Sequence, residues 1–455
     1  MKAAFFSITL LFFCFISTFS QTPWTLEQCI TYALQNNLQI KVQEINIQYY
    51  KNSYNQSRLG ILPNLNANGN YSISMGRALD QTTYQYTENK TVKSLNTSIN
   101  SSVTLFNGFQ KINTILENKY KVLSGIEEVQ KFKNDISLNL ALAYLQLLLN
   151  RELSENTRNQ LEISKLQQTR TQQLYEAGSV PQSKYFEIQA QVANEELNLV
   201  NAQNQVDISL LNLKQMLDLD TVKNFEILKP DFSNFPIANI TSSIDEIYQQ
   251  AIVNLPQIKQ ADYSLKSSEK ALKVAKGGRS IALSLSYSYG TAYSDSRQKV
   301  IGFDPNTNTP IYANYLLKDQ FADNVSSTVS LGASIPIFNG WMVNTNISNS
   351  KLGVLNSEYQ LEIAKKQLFK EIQQAQTDAI AAFKRYNASE NAVKYNEESF
   401  RSISQKFELG LMNFVDYSTS KNQLTAAQSD LLQSKYNYIF KSKVLEFYKN
   451  GQVKL

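Results

Sequence analysis

Two periodicities run along this chain. Residues 64–75 alternate without error between polar and apolar. One set is Leu65, Ala67, Gly69, Tyr71, Ile73 and Met75; the other holds only Asn and Ser. Thr97, Ile99, Val103 and Leu105 alternate with Asn96, Ser98, Asn100 and Ser102, and Ser101 is the one polar intruder. Leu283, Leu285, Tyr287 and Tyr289 alternate with serines, as do Val329, Leu331, Ala333, Ile335 and Ile337 with Thr328, Ser330 and Ser334. A period of two is the mark of a strand with one greasy and one wet face. Each run has the length of a tilted membrane-spanning strand, about 10 residues. Aromatic residues stand at one end of two runs, Phe106 and Phe109, then Phe338 and Trp341, where a membrane girdle would sit.

The second periodicity is helical. No proline occurs between Pro63 and Pro181, or after Pro336. Val122, Ile126, Val129, Ile136, Leu140, Ala143 and Leu147 follow steps of three and four with Lys133 the exception, and so do Ile347, Val354, Leu361, Leu368, Ile372, Ala375, Ala379 and Ala382 with Lys351, Glu358 and Lys365 interleaved. This is a coiled-coil-like seam. A helix of roughly 68 residues, from Gly108 to Gly178 or from Gly340 to Gly410, makes a rod of about 100 Å.

The two patterns belong to a duplicated unit. Leu26-Glu27 and Ala33-Leu34 recur as Ile244-Asp245 and Ala251-Ile252, a shift of 218. Leu105-Phe106-Asn107-Gly108-Phe109 recurs as Ile337-Phe338-Asn339-Gly340-Trp341, a shift of 232. Tyr175-Glu176-Ala177-Gly178 recurs as Phe407-Glu408-Leu409-Gly410 at the same shift. The second copy therefore carries a 14-residue insertion, which falls among residues 297–324 and has loop composition. The first repeat is 21–217, with strands about 63–76 and 95–107, a long helix about 109–177 and a return helix about 181–217. A linker follows at 218–242. The second repeat is 243–455, with strands about 281–290 and 325–338, a long helix about 341–409 and a return helix about 413–450.

Residues 1–20 read as an export signal: Lys2, then a mostly apolar Ala3–Ile16, then Thr18 and Ser20 before the cleavage point. Cys14 follows Phe12 and Phe13, whereas a lipid-attachment cysteine needs a small residue before it. No later segment has 18 consecutive apolar residues, so a membrane-spanning part must be built of strands. The chain has 455 residues and no histidine, which excludes His-dependent triads and His-ligated metals. Its 44 basic and 39 acidic residues form no dense basic patch, so no nucleic-acid partner is expected. No catalytic constellation and no cofactor motif appears. Four strands cannot close a barrel, and lipid does not tolerate an open edge, so several chains must share one.

With these residues in view, the sequence resembles the TolC-like outer-membrane efflux family. The resemblance is carried by the duplicated Leu26…Ala33-Leu34…Asn36 opening, by Arg58-Leu59-Gly60-Ile61-Leu62-Pro63 before a strand, and by Phe106-Asn107-Gly108. Tyr175-x-x-Gly178 and Phe407-x-x-Gly410 complete it, in the family's order. It implies a mainly α protein with a membrane β-barrel portion: a homotrimer with a 12-stranded barrel in the outer-membrane lipid and a periplasmic α-helical tunnel. It also implies docking to a periplasmic adaptor and an inner-membrane pump. The strand loops, about 77–93 and 291–324, would face outside, and the turns at Gly178 and Gly410, with Val180 and Leu411, would be the periplasmic tip.

The resemblance places an acidic constriction residue at Asp416, where three carboxylates would ring the pore and favour cations. Other constriction positions depart from the family's pattern: Phe407 stands for a tyrosine, Met412 for an arginine and Thr419 for a second acid. Lys184 occupies the place of Asp416 in the first copy; the two are either a replacement latch or two solvated tip charges. The function so implied is a passive exit duct, not an enzyme. The alternative is a structural or adhesive envelope coiled coil whose strands form a soluble sheet.

Overall fold

The computed structural model describes residues 23–79, 84–219, 225–230 and 243–451. The export segment lies outside the described residues, as does most of the linker. The chain opens with α1 (Leu26–Asn36), α2 (Leu38–Leu59), β1 (Asn64–Leu79), β2 (Tyr86–Asn107), α3 (Gln110–Glu176) and α4 (Gln182–Met216). The second series is α5 (Ile244–Asn254), α6 (Pro256–Gly277), β3 (Ala282–Ser294), β4 (Gln298–Phe303), β5 (Pro310–Asn314) and α7 (Leu317–Asp323). β6 (Ser326–Ser334), α8 (Met342–Glu408) and α9 (Phe414–Asn450) complete it.

Local chemistry starts and stops these helices. Thr25 accepts from the Gln28 N–H and Gln28 returns the bond to the Thr25 N–H, a capping box on α1. Ser243 caps α5 through the Glu246 N–H. Asn37 Oδ1 accepts from the N–H groups of Gln39 and Ile40 and so opens α2. α3 and α8 are 67 residues each and contain no proline.

The described residues form two compact units: the first lies within 23–42, 131–255 and 368–451, the second within 43–130 and 256–367. In the first, Leu26, Cys29 and Ala33 of α1 are buried against Leu140, Tyr144 and Leu147 of α3, Leu213 of α4, and Tyr436 and Ile439 of α9. Trp24 bridges to Ile227 in parallel, and the Tyr144 hydroxyl is shared between the carbonyls of Trp24 and Leu228. Burial of the Cys29 thiol pushes its pKa up to about 12. At pH 8 it is protonated and shielded, so maleimide labelling should be about 100-fold slower in the folded protein than in urea. Equal rates would place Cys29 outside the core.

The second unit holds a four-stranded antiparallel sheet in the order β1-β2-β3-β6. Its register sorts the two faces across all four strands. Asn66, Asn100, Ser288 and Thr328 stand in one row, and Ala67, Ile99, Tyr289 and Ser327 in the next. On the wet face Ser288 Oγ donates to Asn100 Oδ1 at 2.7 Å, and Ser102 Oγ to Asn64 Oδ1 at 3.1 Å. β1 and β6 are the edge strands.

One feature is new and three expectations are corrected. A bulge at Leu105 puts Phe106, and not Leu105, opposite Leu283. The last strand ends at Ser334, and Ile335–Phe338 lie beyond it, exposed. Residues 77–93 are largely extensions of β1 and β2, and the segment 291–324 folds into the β4–β5 hairpin and α7. Ile126 of the α3 seam is 42% exposed, while Val129, Leu140 and Leu147 are buried. Two further apolar stripes at helical spacing lie exposed: Leu38, Val42, Ile45 and Tyr49 of α2, and Leu352, Leu355, Tyr359 and Ile363 of α8. Among the described residues, no helix is long and apolar enough to cross a membrane.

Candidate functional site at the helical tip

α3 and α8 end in the same way. Gly178 has φ +71 and Gly410 has φ +76, a conformation open to glycine at little cost. The Gly178 and Ser179 N–H groups donate to the carbonyls of Tyr175 and Leu174; those of Gly410 and Leu411 donate to Phe407 and Lys406. Both are Schellman turns, which satisfy the last carbonyls of a helix. Pro181 then opens α4, and Asn413 opens α9, its Oδ1 accepting from the Asp416 N–H at 2.8 Å.

Lys184 and Asp416 hold the third positions of these two return helices. The dipole of a helix N-terminus favours the carboxylate and disfavours the lysine. Lys184 is compensated otherwise: its ammonium lies 4.8 Å from the Phe407 ring centroid. Within one chain Lys184 and Asp416 make no ion pair among the described residues, and Asp416 is exposed. Phe407 also stacks on Tyr417 at 4.6 Å, and Phe400 and Phe414 flank Tyr417. Burial, then the charges of Glu195 and Glu408, raises the Tyr417 pKa. Met412 and Val180 are half-buried, whereas Thr419 and Leu411 are exposed. At the sheet, Phe106 meets Phe109 edge-on at 5.3 Å, and Phe338 and Trp341 are exposed.

Sequence reasoning missed the most buried charge. Lys421 of α9 is 3% exposed. Its Nζ donates to Glu195 Oε1 of α4 at 3.0 Å, to the Gln160 carbonyl of α3 at 3.3 Å and to Ser164 Oγ. Glu195 Oε1 also accepts from Gln191 Nε2, while Glu195 Oε2 has no partner. The signal was present: Lys421 falls in the stripe Tyr417, Leu424, Ala427 that faces the core, where a lysine must find partners.

The model of the outer membrane efflux protein family matches residues 29–218 and 247–448. The chain belongs to the outer membrane efflux protein family. It is thereby an outer-membrane protein, and its two matched segments cover both series of elements. It is 22% identical to the outer membrane protein TolC of Escherichia coli (strain K12) over 397 residues, covering 85% of this chain and 74% of that one. It is 19% identical to TolC of Vibrio cholerae over 428 residues, covering 93% and 90%. Its fold matches solved structures of CusC (TM-score 0.79, 16% identity, 96% of each chain). It also matches the Campylobacter jejuni CmeC outer membrane channel (TM-score 0.77, 16% identity, 93% of this chain and 85% of that one).

Proposed function

We propose that this chain is the passive exit duct of a tripartite efflux or secretion machine. Three copies close a twelve-stranded barrel, and the helices line a tunnel in the periplasm. An adaptor docks at the turns of Gly178 and Gly410, with Val180 and Leu411, and an inner-membrane pump supplies the cargo. Asp416, with Phe407, Met412, Thr419 and Lys184 near it, forms the constriction. The observation that carries this reading is the four-stranded sheet with sorted faces and two bare edges. An edge in lipid must be paired, and the exposed stripes on α2 and α8 also call for a neighbouring copy.

The internal repeat supplies the register of that pairing. β2 maps onto β6 at a shift of 232 and β3 onto β1 at 218. The pair Ser98–Gly290 within the chain thus becomes Ser330 of one copy against Ser72 of the next, and Ile99–Tyr289 becomes Leu331 against Tyr71. Apolar residues meet apolar ones and serine meets serine.

Ser72→Cys with Ser330→Cys should therefore oxidise to covalent dimers and trimers, because bridged Cβ atoms lie about 4 Å apart. Ser74→Cys with Ser330→Cys should stay monomeric on a denaturing gel. Monomer from both pairs would sink the shared barrel. In a planar bilayer the protein should conduct, and Asp416→Asn should lower its preference for cations by about twofold. An unaltered preference would remove Asp416 from the constriction.

A further inference from the structure

The segment between β3 and β6 is held to the sheet by a buried amide. Gln320 of α7 is fully buried: its Oε1 accepts from the Ser294 N–H at 3.0 Å, and its Nε2 donates to the carbonyls of Ser294 (2.9 Å) and Tyr315 (2.7 Å). Asn324 Nδ2 donates to the Ala292 carbonyl at 2.7 Å. A satisfied polar network of this kind fixes orientation. Tyr315 and Lys299 both reach Asp323, so the hairpin is tied to α7 as well.

Thr291 decides on which side the module lies. It continues the series Leu283, Leu285, Tyr287, Tyr289 on the apolar face, opposite Thr97. Its hydroxyl donates to the Phe321 carbonyl at 3.0 Å. α7 therefore leans over the apolar face of the sheet and away from the serine and asparagine face.

Large apolar side chains remain uncovered on this module: Ile301 (65%), Phe303 (61%), Leu316 (58%) and Leu317 (47%). Four large apolar side chains exposed within residues 301–317 call for a partner surface. Lys318 is exposed next to Leu317, and Lys93, opposite Ile73 at the upper end of the same apolar face, is exposed too. Long cationic side chains at the border of an apolar surface reach for phosphate.

We propose that the β4–β5 hairpin and α7 form an interfacial foot. It rests its apolar side on the outer leaflet, among lipid headgroups. The occupant is lipid because α7 is bonded through Phe321 to Thr291 on the apolar face of the sheet, in a protein of the outer membrane. This inference depends on the sheet spanning the membrane, and the experiment separates the two. Single cysteines are labelled with bimane in the full chain, in vesicles of phosphatidylethanolamine and phosphatidylglycerol. The parent chain sets the background from native thiols.

Phe303→Cys should lose about twofold more fluorescence to a lipid spin-labelled near its headgroup than to iodide in the water, given an apolar surface buried about 5–10 Å into the interface. Thr307→Cys, in the exposed turn of the hairpin, should show the reverse. Leu331→Cys should be quenched by a lipid labelled deep in the chain. Iodide quenching at Phe303→Cys equal to that at Thr307→Cys would overturn the foot. Shielding from both quenchers would also overturn it and would mean a neighbouring copy. If Leu331→Cys escapes the deep label, the spanning sheet falls and takes the foot with it.

Discussion

Lys421→Met is expected to destabilise the helical unit by about 3–5 kcal/mol, because removing one member of a buried ion pair leaves the other charge uncompensated. Glu195, the stranded partner, is itself largely buried and has one oxygen with no partner already. The double variant Lys421→Met/Glu195→Leu should recover most of the loss, since a buried pair and a well-packed apolar pair are often close in stability. Urea midpoints of the helical signal measure both. A Lys421→Met midpoint equal to that of the parent would mean that Lys421 is not buried as a charge. The pair also helps to set register: it ties α9 to α3 and α4, as Tyr436 with Glu152 and Gln428 with Gln160 tie α9 to α3 elsewhere.

Gly108→Ala should fail to give folded protein, whereas Gly340→Ala should fold with a modest loss. The two glycines look alike in sequence, each following Phe-Asn, and both have positive φ, +63 and +61. Strain at such a φ costs about 1–2 kcal/mol for a residue with a side chain. Their surroundings differ. A Cβ on Gly108 would lie 2.5 Å from the Gly277 carbonyl oxygen and 2.6 Å from Ser280 Cβ, and the carbonyl is backbone that cannot swing aside. Among the described residues of the chain, nothing lies within 4 Å of a Cβ on Gly340. The helicity of the unassembled chain in detergent reports the difference, because in the proposed trimer the repeat would set Gly340 against Leu59 of the next copy; equal helicity of the two variants would contradict it.

What the sequence made legible is what depends on period and on backbone conformation. Alternation exposes a strand because successive side chains point to opposite faces, and the runs at 64–75 and 283–289 lie in β1 and β3. A glycine is legible where φ is positive, as at Gly178 and Gly410. Contacts across the chain were not. The bulge at Leu105 changes no residue type and answers only to pairing with β3. Residues 297–324 have the Asn, Pro and Tyr content of a loop, yet one buried glutamine organises them. Lys184 and Asp416 matched by repeat position, but the nearest partner for the ammonium is an aromatic face 223 residues away in sequence, at Phe407. The pairing proposed between copies would be made of contacts that no pattern within one chain displays.

The bare edges of β1 and β6 also have a genetic consequence. In the proposed trimer a chain depends on two sisters to seal its sheet, so a defect at either edge spoils every assembly that it joins. With equal amounts of sound and edge-damaged subunits drawn at random into closed three-fold rings, about one ring in eight would be free of damage. Edge mutations in β1 or β6 should thus be dominant in a cell carrying both alleles, while mutations that unfold the chain before it can associate should be recessive.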